Sequence, residues 1–485
     1  MGKVPETSQK GLLGQFLSFF YGNFAVLLLG FIQTPMVTRL MSASEYGRTG
    51  LFESVVSIIY IFALLGLDQS FIRYYYEDKV DRQGLILTCL KSSLCLVTGI
   101  LIFYFLFSEK INHLLFERSG ADITALVVGY AIISVFERFL ILEVRMERNG
   151  VLYSNINIAE KLLNILFILL FFKILGDDFR VVLYALVLSW GSTTVFMGIR
   201  HLSRTRPRDP AVQRINIPLK ELLTYGLPFV LALLLEWMLG SMDRVSLRAL
   251  SSYDELGIYS AAMKIMVILL TFKNSFVAFW APVALKRYET DTLDGCKDFY
   301  RKVFDLALFA AVLGAVALIV FRKLVVLILG SSYRGAERMI PFLSLMPIFA
   351  ILFEITNMGL KIRKKNIYLN VASAAAIFFN LLGNACLIPL MGGSGAALST
   401  GVSYFVYFIL GSIFSERVFR VGYRWGRTLF AALAMVTLGV IAYFFGSSLY
   451  GEICVVAFCL ILVAIFLYLS WRQIKDMALF YIKKK

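Results

Sequence analysis

Runs of about 20 apolar residues recur from one end of this chain to the other. A helix of that length spans the hydrocarbon core of a bilayer, where only helices and closed barrels satisfy all their backbone hydrogen bonds. Of the 485 residues, 59% are apolar and 16% are charged, which leaves too little polar surface for a water-soluble protein of this size. The sequence therefore predicts an all-α polytopic membrane protein with about 14 transmembrane helices.

The turn that follows the first apolar run is repeated later in the chain. With an offset of 210 residues, the matched positions are Ser42 on Ser252, Glu45 on Glu255, and Gly47 on Gly257. If a few inserted residues are allowed, Tyr21-Gly22 also pairs with Tyr225-Gly226. A second echo, with an offset of 215, joins the segment that begins at Arg148 to the one that begins at Arg363. Membrane transporters are often built from such duplicated halves.

This duplication predicts two pseudo-symmetric six-helix lobes around a central cleft, followed by a C-terminal helix pair that has no counterpart in the first lobe. The predicted domains are 1–215 for the first lobe and its linker, 216–415 for the second lobe, and 416–485 for the appended helix pair and a basic tail.

The basic residues that give the chain its net charge of +16 are unevenly distributed between the two sides of the predicted membrane. Most of the 48 Lys and Arg residues fall on one side of the predicted spans, including the segment Arg204–Arg214 and the tail Lys483–Lys485. Such an excess marks the cytoplasmic side of a membrane protein. We therefore predict a multi-pass protein with both termini in the cytoplasm, in contact with membrane lipids and not with nucleic acid.

The sequence offers little for catalysis or metal binding. Its six cysteines lie in or beside spans or in an inside loop, and two histidines are too few for a His-based metal site. No nucleotide-binding or nucleophile motif is present, and the acidic pair Asp177-Asp178 is read as a turn. We predict no catalytic residue, no metal and no cofactor, so the chain is expected not to be an enzyme; a coupling cation, H⁺ or Na⁺, remains open.

Charged and polar residues within the spans are the candidates for function, because each costs about 3 kcal/mol at mid-membrane without compensation. Glu53 and Lys264 lie at near-equivalent positions of the two lobes and carry opposite charge. Gln33 and Glu236 are interpreted as a similar pair. Lys273 follows Lys264 by nine residues and so falls on the opposite helix face, where it is expected to snorkel inward or meet an acid.

Two further groups lie near the ends of the same helices. The outer ends carry four arginines, which serve either as interfacial anchors or as part of a cationic cavity: Arg39, Arg48, Arg244 and Arg248. At the inner end of the second span, Asp68 and Arg73 are assigned either a gating role or a helix-capping role.

Two segments resemble a known family. Arg39-Leu-Met-Ser-Ala-Ser-Glu-Tyr-Gly47 and Gly66-Leu-Asp-Gln-Ser-Phe-Ile-Arg-Tyr-Tyr75, together with the arrangement of spans, are similar to bacterial polysaccharide-biosynthesis flippases. These form the polysaccharide transporter family of the multidrug/oligosaccharidyl-lipid/polysaccharide exporter superfamily. The resemblance covers nearly the whole chain.

The resemblance implies alternating access, in the bacterial cytoplasmic membrane, for an oligosaccharide linked to a polyprenyl diphosphate. It implies substrate contacts by Lys264, Arg39, Arg48, Arg244 and Arg248, with Glu53, Glu236 and Gln33 in the cavity or in coupling. A polysaccharide polymerase and glycosyltransferases are the protein partners expected. An ion-coupled multidrug or small-solute antiporter of the same superfamily is the alternative, since Glu53 and Glu236 are acidic; a membrane enzyme or scaffold of polysaccharide assembly is a third.

Overall fold

The computed structural model describes residues 9–77, 79–204, 215–446 and 448–483. Helices dominate this part of the chain, and its β-structure is an isolated bridge between Val80 and Ile215. Internal contacts group the residues into two compact units, Met1–Trp237 and Met238–Lys485. The domain boundaries expected near 215 and 415 stay predictions.

The first unit contains eight helices and the beginning of a ninth among its described residues. Their bounds are α1 (Gln9–Leu40), α2 (Ala43–Leu64), α3 (Leu67–Tyr74), α4 (Arg82–Leu106), α5 (Ser108–Phe116), α6 (Ala121–Met146), α7 (Gly150–Leu175), α8 (Arg180–Arg204) and α9 (Leu219–Leu250).

The second unit takes the rest of α9 and the helices that follow in the described chain. These are α10 (Tyr253–Thr290), α11 (Leu293–Val320), α12 (Arg322–Leu327), the 3₁₀ turn Ser331–Tyr333, α13 (Ala336–Leu343), α14 (Leu345–Thr356), α15 (Met358–Ile362), α16 (Ile367–Met391), α17 (Gly393–Val418), α18 (Trp425–Phe445) and α19 (Leu449–Lys483).

Thirteen candidate membrane spans are long and apolar enough to cross a bilayer in the described chain, with α13–α15 forming one of them. This confirms the predicted class, an all-α polytopic membrane protein. Helix α7, with 26 residues, corresponds to a predicted span but is not among the thirteen. The number of about 14 spans therefore stays a prediction.

The repeated turn has the same local structure in both units. Ser42 caps α2 and Ser252 caps α10, and each hydroxyl accepts a hydrogen bond from the backbone N–H of the glutamate three residues later. This is the favoured start of a helix, because a side-chain oxygen satisfies an N–H that has no partner within the helix. The repeat of Ser42 and Glu45 on Ser252 and Glu255 thus encodes two equivalent helix starts.

The preceding helices correct one detail of the predicted repeat. Helices α1 and α9 end at Leu40 and Leu250, which keeps the offset of 210, and both are continuous back to Tyr21 and Tyr225, which lie 19 and 25 residues before those ends. Gly22 packs against Ser154 of α7, whereas Gly226 packs against Gly66. The predicted match of Tyr21-Gly22 with Tyr225-Gly226 is therefore wrong.

The second predicted span, at whose inner end Asp68 and Arg73 are predicted to lie, is interrupted before these residues. Leu65 and Gly66 adopt positive φ angles of 43° and 73°, which ends α2 and starts the short helix α3. A left-handed residue cannot continue a right-handed helix, and glycine takes this conformation at little cost.

Helices α18 and α19 are held to the rest of the second unit by ion pairs as well as apolar packing. Arg322 of α12 is 1% exposed and pairs with Glu452 of α19. Asp305 of α11 lies 3.5 Å from both Arg424 and Arg427 at the start of α18. Buried charges of this kind are tolerated in membrane proteins when they are paired.

Candidate functional site

A buried carboxylate, Asp243 of α9, is the centre of a polar cluster in the second unit. Its side chain is 2% exposed. The Nδ2 groups of Asn380 and Asn384 each donate to Oδ1 at 2.9 Å, and the hydroxyls of Tyr259 and Thr400 donate to Oδ2 at 2.7 and 2.6 Å. Three helices, α10, α16 and α17, therefore supply donors to one acid of α9.

The oxygen atoms of this cluster, including the Asp243 carboxylate, are suitable ligands for a small cation. Asn384 also donates to Oδ1 of Asn380 at 3.1 Å, while its own Oδ1 is buried without a hydrogen-bond partner. A buried acceptor without a donor costs free energy, and a cation would satisfy it. Carboxylate, amide and hydroxyl oxygens are ligands that hard cations prefer.

Sequence reasoning missed Asp243 because it aligned the wrong residues. Gln33 lies seven positions before the end of α1, and Asp243 lies seven before the end of α9, so these two are the equivalent residues. The predicted pairing of Gln33 with Glu236, a side chain that is exposed on α9, is wrong. The offset of 210 that matched the two turns, applied without a gap, would have found Asp243.

The first unit has an uncharged version of the same arrangement. Gln33 donates through Nε2 to Oδ1 of Asn164 at 2.7 Å, and Asn164 donates to Ser189 at 3.3 Å. Asn164 of α7 precedes the glycine that ends its helix by as many residues as Asn380 of α16 does. Each unit thus contains a polar cluster at the corresponding place of its helices, and the cluster of the second unit contains a carboxylate.

Glu45 and Glu255, the glutamates of the repeated turn, each connect the start of their own helix to the start of another helix. Both contacts lie at the helix ends that are predicted to face outward. Glu45 accepts from the backbone N–H of Phe179, just before α8, at 2.9 Å. Glu255 accepts from the backbone N–H of Gly393, at the start of α17, at 2.7 Å. A carboxylate is favourable at the positive end of a helix, so these two residues have a structural role.

Arg48, one of the predicted substrate contacts, belongs to the network around Glu45. Its side chain is 11% exposed, and it donates to Glu45 at 2.7 Å and to the Phe116 carbonyl oxygen at 2.9 Å. Arg118 pairs with Glu45 at 2.8 Å and also with Asp178 at 2.8 Å.

The acidic pair Asp177-Asp178 forms the predicted turn and also takes part in this network. Asp177 accepts from the backbone N–H of Ser42 at 2.9 Å, and Asp178 pairs with Arg180 at 2.9 Å. Burial raises the pKa of Asp178, but hydrogen bonds from Arg180 and the charges of Arg180 and Arg118 outweigh it, so its pKa lies below the ordinary value.

The residues predicted to gate the inner end have partners within the first unit. Asp68 of α3 is 2% exposed and accepts from Arg138 of α6 at 2.6 Å. Arg73 is exposed and pairs with Glu77, four residues later, at 3.0 Å. Asp68 therefore fixes α3 against α6, and a gating role for either residue stays a prediction.

The remaining predicted cations and acids lie on α1, α2, α9 and α10. Arg39 is exposed in the last turn of α1, and Glu53 is half-buried in α2. In the second unit, Arg244 and Lys264 are half-buried. The guanidinium of Arg248 lies 4.8 Å from the centre of the Tyr253 ring. Their roles in binding stay predictions.

Of the two alternatives predicted for Lys273, snorkelling inward or meeting an acid, the structure shows the second. The Nζ of Lys273 lies 3.8 Å from Glu354 of α14, which also pairs with Lys361 at 3.0 Å. Lys273 therefore belongs to the packing of the second unit, and Lys264, nine residues before it on α10, points elsewhere.

The sequence of this chain matches a known protein family. The model of the family described as "Polysaccharide biosynthesis protein" matches residues 12–286. A relative from Staphylococcus aureus, described as capsular polysaccharide biosynthesis protein CapF, is 22% identical over 416 residues, which are 84% of this chain and 100% of the relative.

Solved structures share the fold. One described as the lipid II flippase MurJ in an inward closed conformation superposes with a TM-score of 0.66 at 12% identity, over 94% of this chain and 99% of its own. An inward-facing multidrug resistance MATE family transporter of the MOP superfamily gives a TM-score of 0.62 at 19% identity, over 82% and 94% of the two chains. The fold is therefore that of membrane transporters.

Proposed function

This chain belongs to the polysaccharide biosynthesis protein family, and we propose that it is a flippase for lipid-linked oligosaccharide. Its substrate is an oligosaccharide carried on a polyprenyl diphosphate, moved across the cytoplasmic membrane for the synthesis of a cell-surface polysaccharide. The observation that carries this proposal is the family match over residues 12–286, more than half of the chain. The fold shared with a lipid II flippase supports it.

The chemistry of the substrate requires cationic side chains within the membrane. A diphosphate cannot enter hydrocarbon without compensation of its charge, and arginine and lysine supply that compensation. We assign this role to Lys264, Arg244 and Arg248, which are half-buried on predicted membrane helices, together with Arg39 and Arg48. Arg48 has to exchange its bond to Glu45 for one to the substrate. The lipid tail stays in the bilayer.

Transport by alternating access needs a source of free energy, and the Asp243 cluster is our candidate for coupling. The four donors around Asp243 and the orphaned Oδ1 of Asn384 fit a site that exchanges these hydrogen bonds for Na⁺, or one that takes up H⁺. Asp243, Asn384 and Thr400 would hold the cation. A bound cation would tie α9 to α16 and α17, so its release would alter the position of α9.

The alternative, an antiporter for drugs or other small solutes, is less favoured because the matching family model describes polysaccharide biosynthesis. The support for this alternative is the fold that the chain shares with a MATE family transporter at 19% identity. In the proposed role the chain is a transporter and not an enzyme. A polysaccharide polymerase and glycosyltransferases act before and after it, and both of its termini lie in the cytoplasm.

Purified protein in liposomes provides the direct test. A fluorescent oligosaccharide on a short polyprenyl diphosphate is placed in both leaflets, and an enzyme outside the vesicles cleaves the sugar that reaches it. We expect the protein to expose the inner pool to cleavage, whereas protein-free vesicles protect it. Cleavage no faster than in protein-free vesicles would contradict the proposal, and uptake of an organic cation instead would support the antiporter.

A further inference from the structure

A cavity of about 430 Å³ opens in the first unit at the ends of four helices. It lies at the start of α4 and α7 and at the end of α6 and α8. The charge pattern of the chain predicts this end to face the cytoplasm, at the level of the phospholipid head groups. The lining residues are Tyr75, Tyr76, Arg82, Met146, Glu147, Arg148, Asn149 and Arg204.

The lining of this cavity is cationic. It contains three arginines and one acid, Glu147. Glu147 forms ion pairs with two arginines: Arg200, which lies outside the lining, and Arg204, at 3.1 Å. Arg82 and Arg148 therefore give the cavity a net positive charge that its own lining does not neutralise.

Aromatic rings hold these two arginines in place. The Arg82 guanidinium lies 4.9 Å from the Tyr75 ring, and its Nε donates to the Tyr75 carbonyl oxygen at 3.2 Å. The Arg148 guanidinium lies 5.4 Å from the Tyr76 ring, and the two rings pack edge to face at 5.2 Å. A guanidinium stacked on a ring keeps its remaining N–H donors available for an anion.

The backbone at Arg148 adopts the left-handed conformation with which many helices end. Its φ is +58°, in the left-handed region that an arginine adopts at a cost of about 1–2 kcal/mol. Asn149 and Gly150 follow directly, and both residue types take this conformation more easily. A strained residue at a cavity is a reason to look for a ligand.

We propose that this cavity binds the phosphate group of an anionic ligand, and that the ligand is a phospholipid head group of the inner leaflet. Two stacked arginines match the oxygens of a phosphodiester through paired N–H donors. Basic pockets at the cytoplasmic ends of membrane helices are sites where anionic lipids bind. This site belongs to the first unit alone and does not depend on the transported substrate. Its occupation joins four helix ends and stabilises that unit.

The test uses the full-length protein in detergent and short-chain phosphatidylglycerol, with bound lipid counted by native mass spectrometry. We expect Arg82→Gln and Arg148→Gln each to weaken binding about fivefold, and the double variant more strongly. Arg145→Gln is the matched control: it removes the same charge from an exposed residue at the same end of α6, outside the lining, and should bind as the native protein does. Short-chain phosphatidylcholine should bind weakly to all of them.

Two further measurements keep the proposal testable if a variant fails to fold. Phosphatidylglycerol should slow the reaction of phenylglyoxal with Arg148 of the native protein but not its reaction with Arg145. Inorganic phosphate distinguishes a lipid head group from a soluble phosphate as the ligand. If phosphate protects Arg148 at the same concentration as the lipid does, the site belongs to a soluble phosphate. Equal loss of binding in the Arg145 and Arg148 variants, or no protection of Arg148 by either ligand, would overturn the proposal.

Discussion

Gly66 and Gly226 meet through their backbones in the first unit. A Cβ atom on Gly226 would lie 2.6 Å from the Gly66 carbonyl oxygen, and one on Gly66 would lie closer still to the carbonyl oxygen of Gly226. Ser70 donates to the Leu222 carbonyl oxygen at 2.6 Å beside this contact. The first part of α9 therefore depends on two glycines for its close approach to α3.

We expect Gly226→Ala to destabilise the protein, because the added methyl group has no space against the backbone of Gly66; overpacking of this kind costs about 1–3 kcal/mol. Gly240→Ala on the same helix is the control, since a Cβ there meets no atom within 4 Å. Thermal unfolding of the purified variants measures the difference. Equal midpoints for the two variants would show that the contact adjusts without cost.

Replacing Asp243 by asparagine should remove the proposed coupling. An amide at this position places an N–H₂ group against two of the four donors, and it lowers the affinity for a cation. We expect sodium chloride, compared with choline chloride at equal ionic strength, to raise the unfolding midpoint of the native protein but not that of Asp243→Asn. Asp305→Asn, which changes another buried acid of this unit, should keep the sodium response. If sodium has no effect on the native protein and its transport is also independent of pH, Asp243 is not the coupling site.

Lys264→Ala should reduce export of surface polysaccharide to the background of a strain without the flippase, because one cation for the diphosphate is lost. Lys273→Ala is the matched control on α10: it removes the same charge from a residue that pairs with Glu354, and export should continue. Complementation with protein levels checked by immunoblot separates the two. Normal export by Lys264→Ala would exclude this lysine from substrate binding.

The low pKa of Asp178 predicts a loss of stability in acid. Because its folded-state pKa lies below the ordinary value of about 3.9, it stabilises the folded protein above that value. This contribution disappears as the pH falls from about 4 through the lowered pKa. Asp178→Asn should have a lower unfolding midpoint at neutral pH and a shallower decline in acid. Asp298→Asn, which changes a half-exposed side chain, should follow the native curve. If Asp178→Asn follows it too, the ion pairs of Asp178 contribute nothing to stability.

Cysteine labelling tests the orientation. In a background without the six native cysteines, Asp254→Cys and Ser203→Cys place thiols at exposed positions near opposite ends of their helices. Asp254 is preferable to Ser252, whose hydroxyl caps α10. An impermeant maleimide should label residue 254 and not residue 203 in intact cells, and the opposite pattern would invert the topology.

The sequence by itself determined the class of the fold and its repeated local structure. Apolar run length decides whether a helix can cross a membrane, and a serine followed three residues later by glutamate decides where a helix starts. Both are properties of neighbouring residues. The turns at Ser42 and Ser252 could therefore be matched from the amino-acid pattern alone, and the position of Lys273 was enough to place it on the face opposite Lys264 and to limit its role to two alternatives.

The tertiary structure alone decided which polar side chains meet. A helix turns about 100° for each residue, so an alignment error of a few residues changes the face and the partners of a side chain. That error joined Gln33 to Glu236 and left Asp243 unnoticed. Asp243 draws three of its four donors from residues more than a hundred positions away, Asn380, Asn384 and Thr400, and Asp68 is bound by Arg138. The pattern of apolar residues along the sequence does not specify the rotation of one helix against another.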